Sequence, residues 1–331
     1  MDWFEKITGF AEKSYEDTQG RLTVREGKLV GAGERAWSMG RLETPSLADL
    51  RQRFAALPAA TGRTRVSCMT GDVRALHARA ENRNAVFQVA SQFNLLEMVA
   101  PHVTPEHGVT CYQVDRTQGP ACAIAAGAGT IYRNYLAPVG NQAGQRADRQ
   151  IDCLADLGQA LGGQQHRLRE MRNGYALCTR DGLLQIDARL RECDEALLDE
   201  LRGRLRIGLH WCVDVTDSAE PGHHVTQVFC SALPVSYTSI PSVLWTRFAL
   251  LVLEAAYEAT LLAAALNRAV NGADLVYLTR LGGGAFGNDP HWIAAAMRRA
   301  IRQVAIRGLD VRLVSHGAAT ADLLQIAHEF A

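Results

Sequence analysis

Lysine is almost missing from this chain: Lys6, Lys13 and Lys28 are the only three, and every later basic residue is arginine. That bias follows codon composition more readily than chemistry and assigns no role. Net charge is missing as well, since 35 basic and 35 acidic side chains sum to +0. No long-range field therefore favours nucleic acid or an anionic membrane, and recognition has to be local. No CxxC pair occurs. Cys68, Cys111, Cys122, Cys153, Cys178, Cys193, Cys212 and Cys230 stand singly, a pattern that fits reduced thiols in a cytosol better than a disulfide framework. An unbroken long apolar run is absent too. Charges at Asp2, Glu5 and Lys6 stand where a Sec-type signal peptide needs apolar residues. The stretch Phe248 to Leu266 is interrupted by Glu254, Tyr257 and Glu258, so it is expected to be a buried helix and not a membrane span. The histidines form no metal set: His210, His223 and His224 have no companions at ligand spacing.

What is present is a globular composition. The 331 residues are 47% hydrophobic, enough to bury a large core. From Arg65 onward, short apolar runs alternate with helical stretches, which predicts a sheet layered by helices. Strands are expected at 64–69, 85–90, 174–178, 205–215, 225–233, 275–281 and 311–314. Helices are expected at 119–136, 151–161, 194–205, 243–270, 289–306 and 319–330. The runs at 205–215 and 225–233 flank a Pro-Gly-His-His loop and read as a hairpin, so the sheet should be mixed. Residues 1–60 read as an N-terminal appendage: a helical start over 2–13, a polar alternating stretch to Leu29 and a short helix over 46–57.

The strongest local signal is Asp274-Leu-Val-Tyr-Leu-Thr-Arg-Leu-Gly-Gly-Gly-Ala-Phe-Gly-Asn288, where an apolar run ends in a glycine loop and a helix follows. Gly282, Gly283, Gly284 and Gly287 carry no Cβ, so backbone N–H groups there can approach a diphosphate. Ala285, Phe286 and Asn288 complete the candidate loop, with the Phe286 ring placed to cover a ribose or a base. The plain alternative is an ordinary strand-to-helix turn. Two more segments gather at strand ends. Thr70-Gly-Asp72-Val73 follows the first strand, and Ser91-Gln92-Phe93-Asn94-Leu-Leu-Glu97 follows the second, where polar residues would face the crevice at the carboxyl edge of the sheet. Asp115-Arg-Thr117-Gln118-Gly119-Pro120 opens a helix whose free N–H groups suit an anion. Ser315-His316-Gly317 ends the last strand at the same edge.

Together these segments resemble the macrodomain family, over residues 61–331 with an insertion near 140–225. The resemblance implies a three-layer α/β/α mixed sheet that binds ADP-ribose. It implies that Asp72 bonds the adenine amino group and that the two glycine-bearing loops hold the diphosphate. Val73, Gln92, Phe93, Asn94, Thr117, Gln118 and Gly119 join the expected ligand set. The first loop departs from the common Asn-Ala-Ala-Asn and Gly-Gly-Gly-Val pattern, and the Gln-Glu-Glu triplet of the glycohydrolase branch is absent. The chain looks more like the MavL-type bacterial ADP-ribosylarginine hydrolases and their bacterial relatives. That implies removal of ADP-ribose from arginine side chains of proteins, ubiquitin among the conceivable substrates, by loop carboxylates without metal or other cofactor. The matching acids are Asp115, Glu97 and Glu106. Such chemistry needs one carboxylate for the water at the anomeric carbon and another for the guanidinium. A cytoplasmic protein, or an effector exported without a Sec signal, is the matching expectation, with ADP-ribose and an arginine-ADP-ribosylated protein as partners. The alternatives are a non-catalytic ADP-ribose reader, which needs Asp72 and the glycine loops but neither Glu97 nor Asp115, and a hydrolase of another ADP-ribosyl linkage. Each acid also has a plainer reading: Asp72 as a turn cap, Asp115 as a helix-dipole partner, Glu97 as a solvated helix residue and Glu106 as an exposed loop acid.

Overall fold

A computed structural model describes residues 1–32, 35–60, 62–162 and 168–331. Its centre is a seven-stranded mixed sheet, so the expected α/β class is what the chain adopts. In chain order the strands are β1 (Arg41–Glu43), β2 (Arg65–Thr70), β3 (Val86–Ala90), β4 (Gly208–Asp214), β5 (His224–Cys230), β6 (Leu275–Leu278) and β7 (Asp310–Ser315). Across the sheet they lie β1-β4-β5-β3-β6-β7-β2. The five from β5 to β2 run parallel, and β4 and β1 are antiparallel additions at one edge.

Helices cover both faces, as two neighbouring residues of β3 demonstrate. Phe87 stacks on His77 of helix α1 (Val73–Ala78) at 3.7 Å, whereas Gln88 donates to Thr260 of helix α2 (Thr246–Asn271) at 3.0 Å. Successive strand residues point to opposite faces, so α1 and α2 lie on opposite sides and the architecture has three layers. α2 is long and apolar enough to cross a membrane by length and composition, and 83% of its most apolar window is buried within the fold. Its inward face includes Leu253, Ala256, Tyr257 and Leu261, all fully enclosed.

Several boundaries differ from the periodicity. The helix expected over 119–136 is two helices, Gln118–Ala125 and Gly127–Tyr135. Ala126 departs from helical geometry, the Thr216 hydroxyl takes the Gly127 N–H, and a Cβ at Gly127 would collide with Ile7 and Trp3. Strand β6 stops at Leu278 because the N–H of Leu281 turns back to Thr279 O and the Tyr257 hydroxyl. Residues 175–178 are indeed extended but pair with Arg169–Arg172 in a separate hairpin. The helix Arg180–Glu192, capped by Thr179, was not anticipated. Residues 163–167 of the expected insertion lie outside the described residues.

The first sixty residues are woven into the body. Arg41–Glu43 forms the sheet edge, and Trp3, Phe4, Ile7 and Phe10 share a second core with Leu96, Met98, Val109 and Tyr112. The expected single helix over 2–13 ends at Gly9, whose φ of 77° closes Trp3–Thr8.

Candidate active site

The five parallel strands end at one edge, and the residues just beyond them line a continuous crevice: Ser91 and Gln92 after β3, Ala232 after β5, Thr279 and Arg280 after β6, His316 and Gly317 after β7, and Gly71 and Asp72 after β2. This is where a parallel sheet offers its ligand site. The crevice has a narrow cavity of about 210 Å³ and a wider one of about 740 Å³. Asp115, Thr117, Gln118, Thr279, Arg280 and Gly284 border both, so they mark the waist between the two.

The wide end holds Asp72, Val73, Arg74, His316 and Gly317. Asp72 caps α1: its Oδ1 accepts the N–H groups of Arg74 at 2.7 Å and Ala75 at 3.2 Å. The cap expected as its plain reading is therefore real, and it holds the carboxyl at the cavity wall. Arg74 is paired with Asp217.

Two N–H-bearing loops meet at the waist. No side chain caps the helix that begins at Gln118, so its first N–H groups open on the crevice. The Gln118 amide is committed: it accepts from Ala90 N at 2.8 Å and donates to Gln88 O at 2.7 Å, docking the helix on β3. Opposite, the glycine loop is braced from within. Gly282 and Gly287 have φ of 72° and 68°, and internal bonds take the N–H groups of Gly283, Gly287 and Asn288. The N–H groups of Gly284, Ala285 and Phe286 stay outside those bonds. Gly284 has open space where a Cβ would stand, whereas Gly287 sits against Ser236.

The narrow end is lined by an aromatic cluster and by two acids. Tyr175, Tyr237 and Phe286 form a triangle with ring centroids 5.2, 5.4 and 5.5 Å apart. Tyr175 is fixed by donating to Met98 O. Glu97 and Asp115 line the same cavity. Asp115 is half-buried and its Oδ1 accepts the Thr117 N–H at 2.8 Å. Glu97 is only 3% exposed, and its Oε1 has no hydrogen-bond partner among the described residues. Burial drives its carboxyl well above the usual range, and the Asp115 charge pushes the same way against the pull of Arg133. Arg133, lowered by burial to about 10, remains charged at neutral pH. Its guanidinium donates to Leu95 O and Thr130, lies against His210 and covers the Phe229 ring at 3.8 Å. The same burial, with Arg133 beside it, holds His210 down at about 3 and hence neutral.

Several expected ligand residues serve the frame instead. Phe93 is in the core, and Asn94 is fully buried, bonded to Gln150 and Leu96 N. Gln92 borders the narrow cavity but spends its amide on Met98. Asn288 staples the glycine loop to Leu233 O at 2.8 Å. Gly283 and Gly287 support the loop from outside the lining, and a Cβ at Gly119 would overlap Ala90 O and the Glu97 carboxyl. Glu106 is not brought to the crevice, because its carboxylate accepts the Ala147 N–H. The solvated helix allowed for Glu97 is absent, since the chain turns there through Leu95 with φ 64°. In the helix Gly127–Tyr135, Arg133, Asn134 and Tyr135 are fully buried and line neither cavity. No group of three potential metal-ligating side chains sits together among the described residues.

Met98, Tyr175, Tyr237 and Arg280 line the crevice without having been anticipated. Arg280 had a readable signal, a cation beside a glycine loop. Tyr175 and Tyr237 had none, for they reach the site only through the fold.

No protein-family model matches the chain, and no curated protein does. Solved structures similar to it include a poly(ADP-ribose) glycohydrolase from Thermomonospora curvata, at 15% identity and TM-score 0.46 over 95% of this chain and 96% of that one. Another is the poly(ADP-ribose) glycohydrolase from Deinococcus radiodurans in complex with ADP-ribose, at 10% identity and TM-score 0.45 over 87% and 93%. At such scores the likeness carries no weight for the chemistry, which rests on the residues themselves.

Proposed function

We propose that this protein binds ADP-ribose along the crevice and hydrolyses the bond joining it to an arginine side chain of a protein. The wide end suits the adenosine, with Asp72 toward the exocyclic amine. The waist, with two sets of free N–H groups and Arg280, suits the diphosphate, and the aromatic triangle suits the distal ribose. The observation that carries the reading is Glu97: a buried carboxyl with an unpartnered oxygen costs free energy and is satisfied by a donor brought by a ligand. An arginine guanidinium is such a donor. Its charge offsets the burial of the Glu97 anion and its fork matches the two oxygens.

Asp115, more open and beside the helix start, then holds the water. Attack of the water oxygen on the anomeric carbon breaks the carbon–nitrogen bond, and the electron pair goes to the guanidinium nitrogen. The water proton passes to Asp115 and on to the departing guanidine. Glu97 contributes most as the guanidinium is held and released, and Asp115 as the oxocarbenium-like centre forms. The test is release of ADP-ribose from arginine-linked substrate by the wild type and by Glu97→Gln and Asp115→Asn, with free ADP-ribose affinity measured alongside.

A further inference from the structure

Glu12 lies far from the crevice in sequence and lines neither cavity, yet its carboxylate takes four hydrogen bonds from three groups. It accepts the Val109 N–H at 2.9 and 3.1 Å, the Thr110 N–H at 2.7 Å and the Tyr135 hydroxyl at 2.7 Å. Gly108, at φ 82°, leaves the room it needs, for a Cβ there would stand 2.5 Å from Glu12 Oε2. The two amides are the start of a tight turn, Thr110–Val114, and the residue that ends this turn is Asp115. Midway along it, the Tyr112 hydroxyl accepts the Glu97 N–H at 3.0 Å. One carboxylate thus anchors the turn from which both candidate catalytic acids are held.

We infer that Glu12 is a positioning residue: by clamping the start of the 110–114 turn it sets where Asp115 and Glu97 stand relative to the bond being broken. The inference rests on the hydrolase reading above. Charge-assisted bonds to two backbone amides fix direction as well as distance, and misplacing a catalytic group by about 1 Å costs on the order of 100-fold in rate. The residues proposed for adenosine and diphosphate have their own anchors, Asp72 on α1, Gln118 on β3 and Asn288 on Leu233, so ligand affinity should be spared.

The experiment uses the full chain with Glu12→Gln and Glu12→Asp. Glutamine turns an amide N–H₂ toward a backbone N–H, whereas aspartate keeps the charge on a shorter arm. Glu12→Gln should lower kcat on arginine-linked substrate roughly 10- to 100-fold, leave the Kd for free ADP-ribose within about twofold, and be partly rescued by aspartate. A second readout needs no turnover: the infrared carbonyl band of protonated Glu97, assigned through Glu97→Gln. Its titration should move by at least about one pH unit toward the ordinary carboxyl range in Glu12→Gln as the packing around Glu97 loosens. Wild-type kcat in Glu12→Gln overturns the inference, as do equal losses of kcat and ADP-ribose affinity, or an unchanged Glu97 band. A wild type that releases no ADP-ribose from any linkage defeats the hydrolase reading instead, and the band alone then decides whether Glu12 positions the acids.

Discussion

The Tyr112 hydroxyl accepts the backbone N–H of Glu97 at 3.0 Å, joining the turn that ends in Asp115 to the segment that follows β3. The acids are 18 residues apart in sequence and face one cavity because of this tie. Tyr112 is itself fully buried, and burial together with the neighbouring Glu97 holds its phenol far above the usual range. It therefore stays a neutral strut around neutral pH.

Glu97→Gln tests the buried carboxyl through stability. The folded-state value of Glu97 is raised above its unfolded value, so folding takes up a proton between the two and stability falls as pH rises through that window. Glutamine imitates the neutral form and escapes this loss. Thermal unfolding should show the variant and the wild type alike near pH 4, with the variant gaining up to about 1.4 kcal/mol per pH unit above it. A variant that matches the wild type near pH 4 and falls below it as pH rises would mean that Glu97 is ionised and paired.

The same proton should appear in binding. If an arginine-linked ligand ionises Glu97, binding it releases a proton and tightens as pH rises toward the raised value, whereas free ADP-ribose does neither. Calorimetry in buffers of different ionisation enthalpy reads this directly. Identical proton release for both ligands would place the titrating group elsewhere.

Two substitutions separate the α1 cap that Asp72 forms from the adenine contact proposed for it. Asp72→Ala should lose the α1 cap, about 1 kcal/mol of stability, and weaken ADP-ribose by about 1.5–3 kcal/mol while sparing ribose 5-phosphate. Asp72→Asn keeps a good capping side chain, so it should restore stability and still bind ADP-ribose more weakly. Equal losses for both ligands in the asparagine variant would remove Asp72 from the adenine end.

Gly284→Val should fold, because a Cβ there meets nothing within 4 Å and the backbone is not left-handed, yet it should cut ADP-ribose affinity by filling the waist. Arg280→Met should do the same in a salt-dependent way and leave adenosine affinity unchanged. Unchanged ADP-ribose affinity in a folded Gly284→Val would reduce the glycine loop to a structural turn.

The parts legible in the sequence were those with local causes. Strand runs such as 85–90, the glycine loop and the start of the helix at Gln118 announce themselves through apolar patterning and turn chemistry, and the strand ends gather Asp72, Asp115 and Gly284 at one crevice. What sequence left open depends on tertiary packing. Asn94 and Asn288 look like ligand residues because they are polar in loops, but buried backbone groups claim them. Tyr175 belongs to a hairpin outside the main sheet, and only the fold carries it to Phe286. Glu12 sits in a segment that reads as an appendage, and nothing local marks its contact with Val109, 97 residues away.

The most direct measurement is release of ADP-ribose from arginine-, glutamate- and serine-linked substrates by the wild type and by Asp115→Ala, with ADP-ribose binding followed in parallel. The account predicts release from arginine by the wild type, and its loss with binding retained in Asp115→Ala. A wild type that binds ADP-ribose but releases none, or full release by Asp115→Ala, would contradict it.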